Sequence, residues 1–104
     1  MNSFATATQD GTGASIDIEL GWVPDHVIVQ NIEAADIGKL EWFKGMTAGH
    51  AIKRVTSTSS AITSLGITQL SSPSSGAKGF RIGADTDVNV SGEALTWLAW
   101  RNTP

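Results

Sequence analysis

The feature that most constrains the fold is a series of short runs in which apolar and polar residues alternate, each followed by a turn signal. In Ala14–Leu20 (ASIDIEL) the two isoleucines and the leucine fall on one side, and Ser, Asp and Glu fall on the other. A period of two residues predicts a β-strand with one face on a core and the other in solvent. Long helical periodicity is absent from the chain. The pattern therefore predicts an all-β protein.

Nine such runs can be recognised along the 104 residues. Ser, Thr and Gly are abundant between the apolar residues, a mixture that suits short strands joined by turns and suits helices poorly. We therefore predict an antiparallel β-sandwich, jelly-roll-like, that forms a single domain over residues 1–104. The predicted strands are Phe4–Gln9, Ala14–Leu20, His26–Ile32, Gly38–Gly45, Ala51–Val55, Ala61–Leu70, Lys78–Gly83, Asp87–Gly92 and Ala94–Arg101.

Two of these runs, His26–Ile32 and Ala94–Arg101, carry apolar side chains on both faces. A strand of this kind is covered on both sides, either by a second sheet or by a partner chain. We therefore predict that part of this apolar surface lies between subunits. The predicted interface residues are Val27, Val29, Trp42, Phe43, Trp97 and Trp100.

The charge balance argues against two classes of partner. The net charge is −3, whereas nucleic-acid binding calls for a basic face and binding to an anionic membrane calls for a polybasic segment.

The chain has no cysteine, so thiolate catalysis, disulfides and cysteine zinc sites are excluded. The first residues lack the basic start and apolar run of a secretion signal, so we expect synthesis in a cytoplasm.

Groups that could carry catalysis are poorly placed. The two histidines, His26 and His50, lack the spacing of metal ligands on one strand or helix. Asp17 and Glu19 share the solvent face of one predicted strand, whereas a glycosidase pair sits in a cleft. Neither a phosphate-binding loop nor a G-x-S-x-G nucleophile motif is present. We therefore predict no enzymatic activity, no catalytic residue and no cofactor.

The segment Asp85–Glu93 superficially resembles a calcium-binding loop because oxygen ligands alternate along it. That loop requires Gly at its sixth position and Glu at its twelfth, where this chain has Val90 and Thr96. We therefore predict no metal site here. The segment is expected to be a strand with Asp85, Asp87 and Asn89 on its solvent face.

Trp22, in a turn that contains proline, is a candidate for surface recognition. An exposed aromatic face can stack on the apolar face of a sugar. The alternative is that Trp22 covers the end of a sheet and that the other three tryptophans belong to a core or an interface. The sequence leaves both open.

Three segments carry a resemblance to small virion proteins of tailed bacteriophages. Residues 21–31 (GWVPDHVIVQN) are similar to a pattern G-F-x-P-D-x-V-x-V-x-N, with Trp22 in place of Phe. Residues 42–55, which contain WFKGM and AIK, are similar to the element that follows it. Residues 79–101 resemble the pattern G-F-x-I-G-x-x-x-x-V-N-x-S-G-x-x-x-x-W-x-A. Together these segments cover a little over half of the chain.

This resemblance implies a structural protein of the virion, made in the host bacterial cytoplasm and located on the capsid surface. The expected role is that of a capsid decoration (cement) protein, which binds the major capsid protein lattice and stabilises the head. Decoration proteins commonly sit at local three-fold positions, so a homotrimer is expected. The alternative is a tail or fibre component that binds a host-surface glycan, for which Trp22 would be the centre of recognition.

Overall fold

Nine antiparallel strands account for most of the residues that the structure describes. The computed structural model describes residues 2–33, 38–56, 58–70 and 78–102, and within these ranges it contains no helix. The prediction of an all-β antiparallel sandwich is therefore confirmed. The strands are β1 (Asn2–Asp10), β2 (Ile16–Glu19), β3 (His26–Asn31), β4 (Lys39–Phe43), β5 (Ala51–Val55), β6 (Thr58–Ile62), β7 (Ile67–Leu70), β8 (Gly79–Ile82) and β9 (Ala94–Asn102).

The strands divide into a larger and a smaller sheet. The larger sheet has the order β1-β9-β3-β4-β5-β6, and the smaller sheet has the order β2-β8-β7. The first and last strands of the chain are neighbours, with Asn2 opposite Asn102 and Asp10 opposite Ala94. Both halves of the chain therefore contribute to each sheet.

The core lies between the two sheets and follows directly from the alternation along the strands. In β3 the even-numbered positions are half-buried and the odd-numbered positions are buried. Phe80 of the smaller sheet meets Trp97 of the larger sheet edge to face, with ring centroids 5.3 Å apart. Burying side chains of this size stabilises the fold by about 1.5–3 kcal/mol each. The core consists of Val27, Val29, Leu40, Trp42, Ala51, Ile67, Phe80, Ile82, Val88, Leu95, Trp97 and Ala99.

Two predicted strands differ from the structure. The segment Ala61–Leu70 was expected to be one strand, but it belongs to β6 in the larger sheet and β7 in the smaller one, with a bend between them. Asp87–Gly92 was expected to be a strand, but it forms turns. Both errors have one cause: small polar residues permit strands and turns alike, and the deciding contacts come from distant parts of the chain. The serine-rich segment around Pro73, whose composition predicts a surface turn, lies outside the described residues.

Candidate functional site

Four of the six predicted interface residues belong to the core of the chain itself. Val27 and Val29 are fully buried, and Trp42 and Trp97 keep only 2% and 5% of their surface exposed. Their side chains face the smaller sheet, which already covers them. A second subunit cannot reach these side chains in the folded chain, so the interface prediction is corrected for all four.

The other two predicted interface residues, Phe43 and Trp100, lie on the opposite face of the larger sheet, which points away from the core. There they join His26 and Phe4 in one row across four strands, because β1, β9, β3 and β4 are in register at these positions. The ring centroids are 5.5 Å apart for Phe4 and Trp100, and 4.6 Å apart for Trp100 and His26. His26 and Phe43 follow at 4.4 Å. We call these four residues the aromatic row.

The aromatic row continues into an aliphatic row and then a polar one. One step along the strands, Leu98, Ile28 and Ile52 lie on the same side of the sheet, with Glu41 between the two isoleucines. A further step brings a polar row with two basic residues. That row consists of Thr8, Thr96, Gln30, Lys39, Arg54 and Ser59. We call this surface of the larger sheet the outer face.

The outer face exposes large apolar side chains where a solvated sheet face would carry polar ones. Phe4 is 54% exposed, and Phe43 and Ile52 are each 40% exposed. Ile28, Leu98 and Trp100 between them are only half-buried. Scattered exposed apolar residues are normal, but a contiguous patch rimmed by polar residues marks a binding surface. The sequence carried part of this signal, because Ile28, Leu98 and Trp100 alternate with the core residues of their strands.

The rings of the aromatic row stand on the sheet with their faces turned to one another. The planes of His26 and Phe43 are inclined by 22°, and those of His26 and Trp100 by 25°. Stacked rings cover each other's faces, so this part of the row presents ring edges to solvent. His26 also contacts Glu41, with Nε2 and Oε2 2.9 Å apart. An ionised carboxylate only accepts, so the imidazole donates this hydrogen bond, which holds the ring upright.

Trp22, the predicted recognition residue, is half-buried and packs against the core. The guanidinium carbon of Arg101 lies 5.6 Å from the centroid of a Trp22 ring. A cation in that position is attracted by the ring and occupies one of its faces. Trp22 therefore offers less free ring face than a sugar platform would use.

The segment Asp85–Glu93, predicted to be a solvated strand, is instead a loop that turns two of its polar side chains inward. Asp85 is 4% exposed and Asn89 is 1% exposed, so the predicted solvent face is wrong for both residues. Lys53 Nζ lies 2.9 Å from Asp85 Oδ2 and 2.6 Å from Asp87 Oδ2. Burial lowers the pKa of Lys53, but the hydrogen bonds to the two aspartates outweigh it, so the pKa is raised. A lysine thus supplies the positive charge between these carboxylates.

Asn89 ties this loop to the segment after β1. Its Nδ2 donates to the carbonyl oxygens of Ala14 and Gly83, at 2.6 and 3.1 Å. Its Oδ1 accepts from the amide of Thr12 at 2.9 Å. An amide side chain can both donate and accept, which is what two adjoining stretches of loop backbone require. Because these partners are distant in sequence, the alternation pattern could not reveal them.

The residues of the resemblance prove to be mainly structural. Pro24, Val27, Val29 and Asn31 of the first pattern are buried, and so are most members of the second. The pattern therefore describes the core and the buried loop more than any surface. The buried members of the second pattern are Gly79, Phe80, Ile82, Val88, Asn89, Trp97 and Ala99.

Other groups in the described residues offer little chemistry. Asp17 and Arg81 pair on the exposed side of the smaller sheet, with Nε and Oδ1 2.6 Å apart. The hydrogen bond from Arg81 lowers the pKa of Asp17. An open depression beside this pair is lined mainly by small residues, among them Gly13, Ala14 and Gly66. The described ranges contain no group of three or more acidic or histidine side chains that could hold a metal, and no helix that could span a membrane.

Comparison of the chain with protein-family models, with curated proteins and with solved structures finds no match. The outer face is thus the candidate site that the structure itself provides.

Proposed function

We propose that this chain is a structural protein of a tailed-bacteriophage virion, and specifically a capsid decoration protein. In this role it binds the outer surface of the major capsid protein lattice and stabilises the head. The observation that carries the proposal is the outer face, an apolar surface that the chain's own second sheet does not cover. The resemblance of residues 21–31, 42–55 and 79–101 to phage virion proteins supplies the biological setting.

The composition of the outer face fits adhesion to a protein surface. Aromatic and aliphatic side chains form its centre, and Lys39 and Arg54 lie at one end. Protein interfaces have this arrangement, with an apolar centre rich in aromatic residues and a polar rim. On a repeating lattice many copies bind close together, so a weak contact by each copy is enough to reinforce the shell.

The alternative role, a tail or fibre component that binds a host glycan, has weaker support. A sugar stacks on the open face of an aromatic ring. The inner rings of the aromatic row cover each other's faces, and Arg101 lies over Trp22. The outer face therefore suits a protein partner better than a sugar.

The proposal can be tested with empty shells of the parent phage prepared with and without this protein. We expect shells that carry it to resist heating or low divalent-ion conditions that open the bare shells. A double variant, Phe43→Ser with Ile52→Ser, should bind bare shells at least about tenfold more weakly, since central apolar residues dominate interface energies. Co-sedimentation of protein with shells measures this binding.

The matched control is Leu65→Ser, because Leu65 is 51% exposed but belongs to the bend between β6 and β7 rather than to the outer face. This variant should bind shells as the wild type does. The proposal is wrong if both shell preparations are equally robust and the protein instead co-purifies with tails and binds host cells. Equal binding by the double variant and the control would exclude the outer face as the docking surface.

A further inference from the structure

Strand β1 is an open edge of the larger sheet. It pairs with β9 on one side, and no described strand pairs with its other side. The amide of Gly11, just after β1, donates to the carbonyl of Glu93 at 2.8 Å. Hydrogen-bonded positions alternate along antiparallel strands, so the odd-numbered residues of β1 bond to β9. The backbone groups of Phe4, Thr6 and Thr8 therefore point outward, away from the sheet.

In the part of the chain that the structure describes, this edge lacks the devices that usually prevent strands from pairing with other chains. Natural edges are short, or are interrupted by lysine, proline or a bulge. β1 has nine residues in unbroken register with β9 and contains neither lysine nor proline. Its one charged residue, Asp10, stands at its end. By contrast, the edge strand β2 of the smaller sheet has four residues, two of which are acidic.

We propose that β1 is the site at which a second copy of this chain binds, by antiparallel pairing of the two β1 strands about a two-fold axis at Thr6. The sequence of β1 suits this arrangement. Thr6 lies opposite its own counterpart and Phe4 opposite Thr8, and Asp10, at the end of the strand, does not lie opposite its own copy, so no two like charges meet. The outward-pointing backbone groups are the ones that become paired, and the overlap supplies about ten backbone hydrogen bonds.

The pairing joins two six-stranded sheets into one continuous sheet of twelve strands. Because the axis is perpendicular to the sheet, both outer faces point to the same side. The two aromatic rows then lie on one surface, offset by four residues or roughly 13 Å along the strands. The contact is isologous, which is the commonest form of association between identical chains. It does not depend on the proposed capsid role, and it gives two copies where the resemblance predicts three.

Sedimentation equilibrium of the full chain is the first test, and a dimer is expected. A monomer at high micromolar concentration, or a trimer, would overturn the proposal. Thr6→Lys places two like charges at the axis and should raise the dimer dissociation constant at least about tenfold. The matched control is Ser59→Lys on the opposite edge strand β6, which should leave the dimer unchanged. Loss of the dimer in the control alone would show that β6 is the contact.

A cross-link tests the same contact without relying on a disruptive variant. The chain has no cysteine, so a single Thr6→Cys substitution introduces the only thiol. Hydrogen-bonded partners in antiparallel strands have Cα atoms about 5.5 Å apart, but their Cβ atoms lie farther apart than the roughly 3.5–4.5 Å that a disulfide prefers, so a short bismaleimide is used to join the two thiols. The bismaleimide should give a covalent dimer of Thr6→Cys and none of Ser59→Cys. Failure of Thr6→Cys to cross-link under conditions where the protein is dimeric would overturn the proposed register.

Discussion

Lys53 pairs with two acidic side chains of the Asp85–Glu93 loop. Its ammonium group lies within hydrogen-bond distance of both Asp85 and Asp87, and Asp85 is almost fully buried. A buried carboxylate without a partner is strongly unfavourable, so the lysine makes the inward turn of this loop possible. The same ammonium explains why alternating oxygen ligands in the sequence need not indicate a calcium site.

Replacing Lys53 with methionine should destabilise the protein by about 3 kcal/mol, because it leaves the carboxylate of Asp85, whose side chain is only 6% exposed, buried without a counter-charge. Urea unfolding measures this change in the free energy of unfolding. Lys44→Met, at an exposed position in the turn after β4, is the control and should change stability by less than about 0.5 kcal/mol. A loss of equal size in both variants would mean that the ion pairs contribute nothing specific.

The raised pKa of Lys53 also predicts a dependence of stability on pH. A group whose pKa is higher in the folded state stabilises the fold fully below its ordinary pKa, which is 10.5 for this lysine. That contribution is lost as the pH rises through the raised value. The difference in unfolding free energy between wild type and Lys53→Met should therefore be constant from about pH 8 to pH 10 and shrink above it. A difference that grows with pH in the alkaline range would contradict the pairing.

Individual strands and loops differ in how far they depend on distant contacts. Asn89 connects its own loop with the segment that follows β1, and it is almost fully buried. Asn89→Ala should cost about 3 kcal/mol, because it leaves backbone groups of both segments unpaired. Thr86→Ala, an exposed position in the same loop, should be nearly neutral. Thermal unfolding of both variants measures this, and equal melting temperatures would contradict the assigned role.

The strands were predictable because their alternation is local. The period of two residues predicts β3 and β9 as strands and assigns their side chains to two faces, of which the structure buries one and leaves the other half-buried. What the pattern could not decide is which apolar face the chain covers by itself, since both faces of β3 look alike in sequence. Val27 and Val29 were consequently expected at an interface, whereas Ile28 was not. Asn89 was missed for a related reason: its partners depend on how loops meet in the folded chain.

At the scale of the whole molecule, the two sheets differ in width, and this difference creates the candidate surfaces. A three-stranded sheet covers one face of a six-stranded one, so the outermost strands of the larger sheet have little cover. In β1 even Ala7, which lies on the core side, is exposed. The outer face and the open edge β1 thus arise together from the same unequal division of strands.

One core between two sheets also predicts how the molecule unfolds. The core lies between the two sheets and contains side chains from both, so unfolding should be a single cooperative transition.

Chelators should not change the melting temperature, because the ammonium group of Lys53 pairs with the carboxylates of Asp85 and Asp87 in the calcium-like loop. A structural ion present at a hundred times its dissociation constant would add about 2.7 kcal/mol of stability. Its removal would lower the melting temperature of a domain this size by roughly 10 °C or more. Differential scanning calorimetry with and without EDTA should give melting temperatures within about 1 °C of each other; a drop of several degrees would mean that Asp85–Glu93 holds a metal after all.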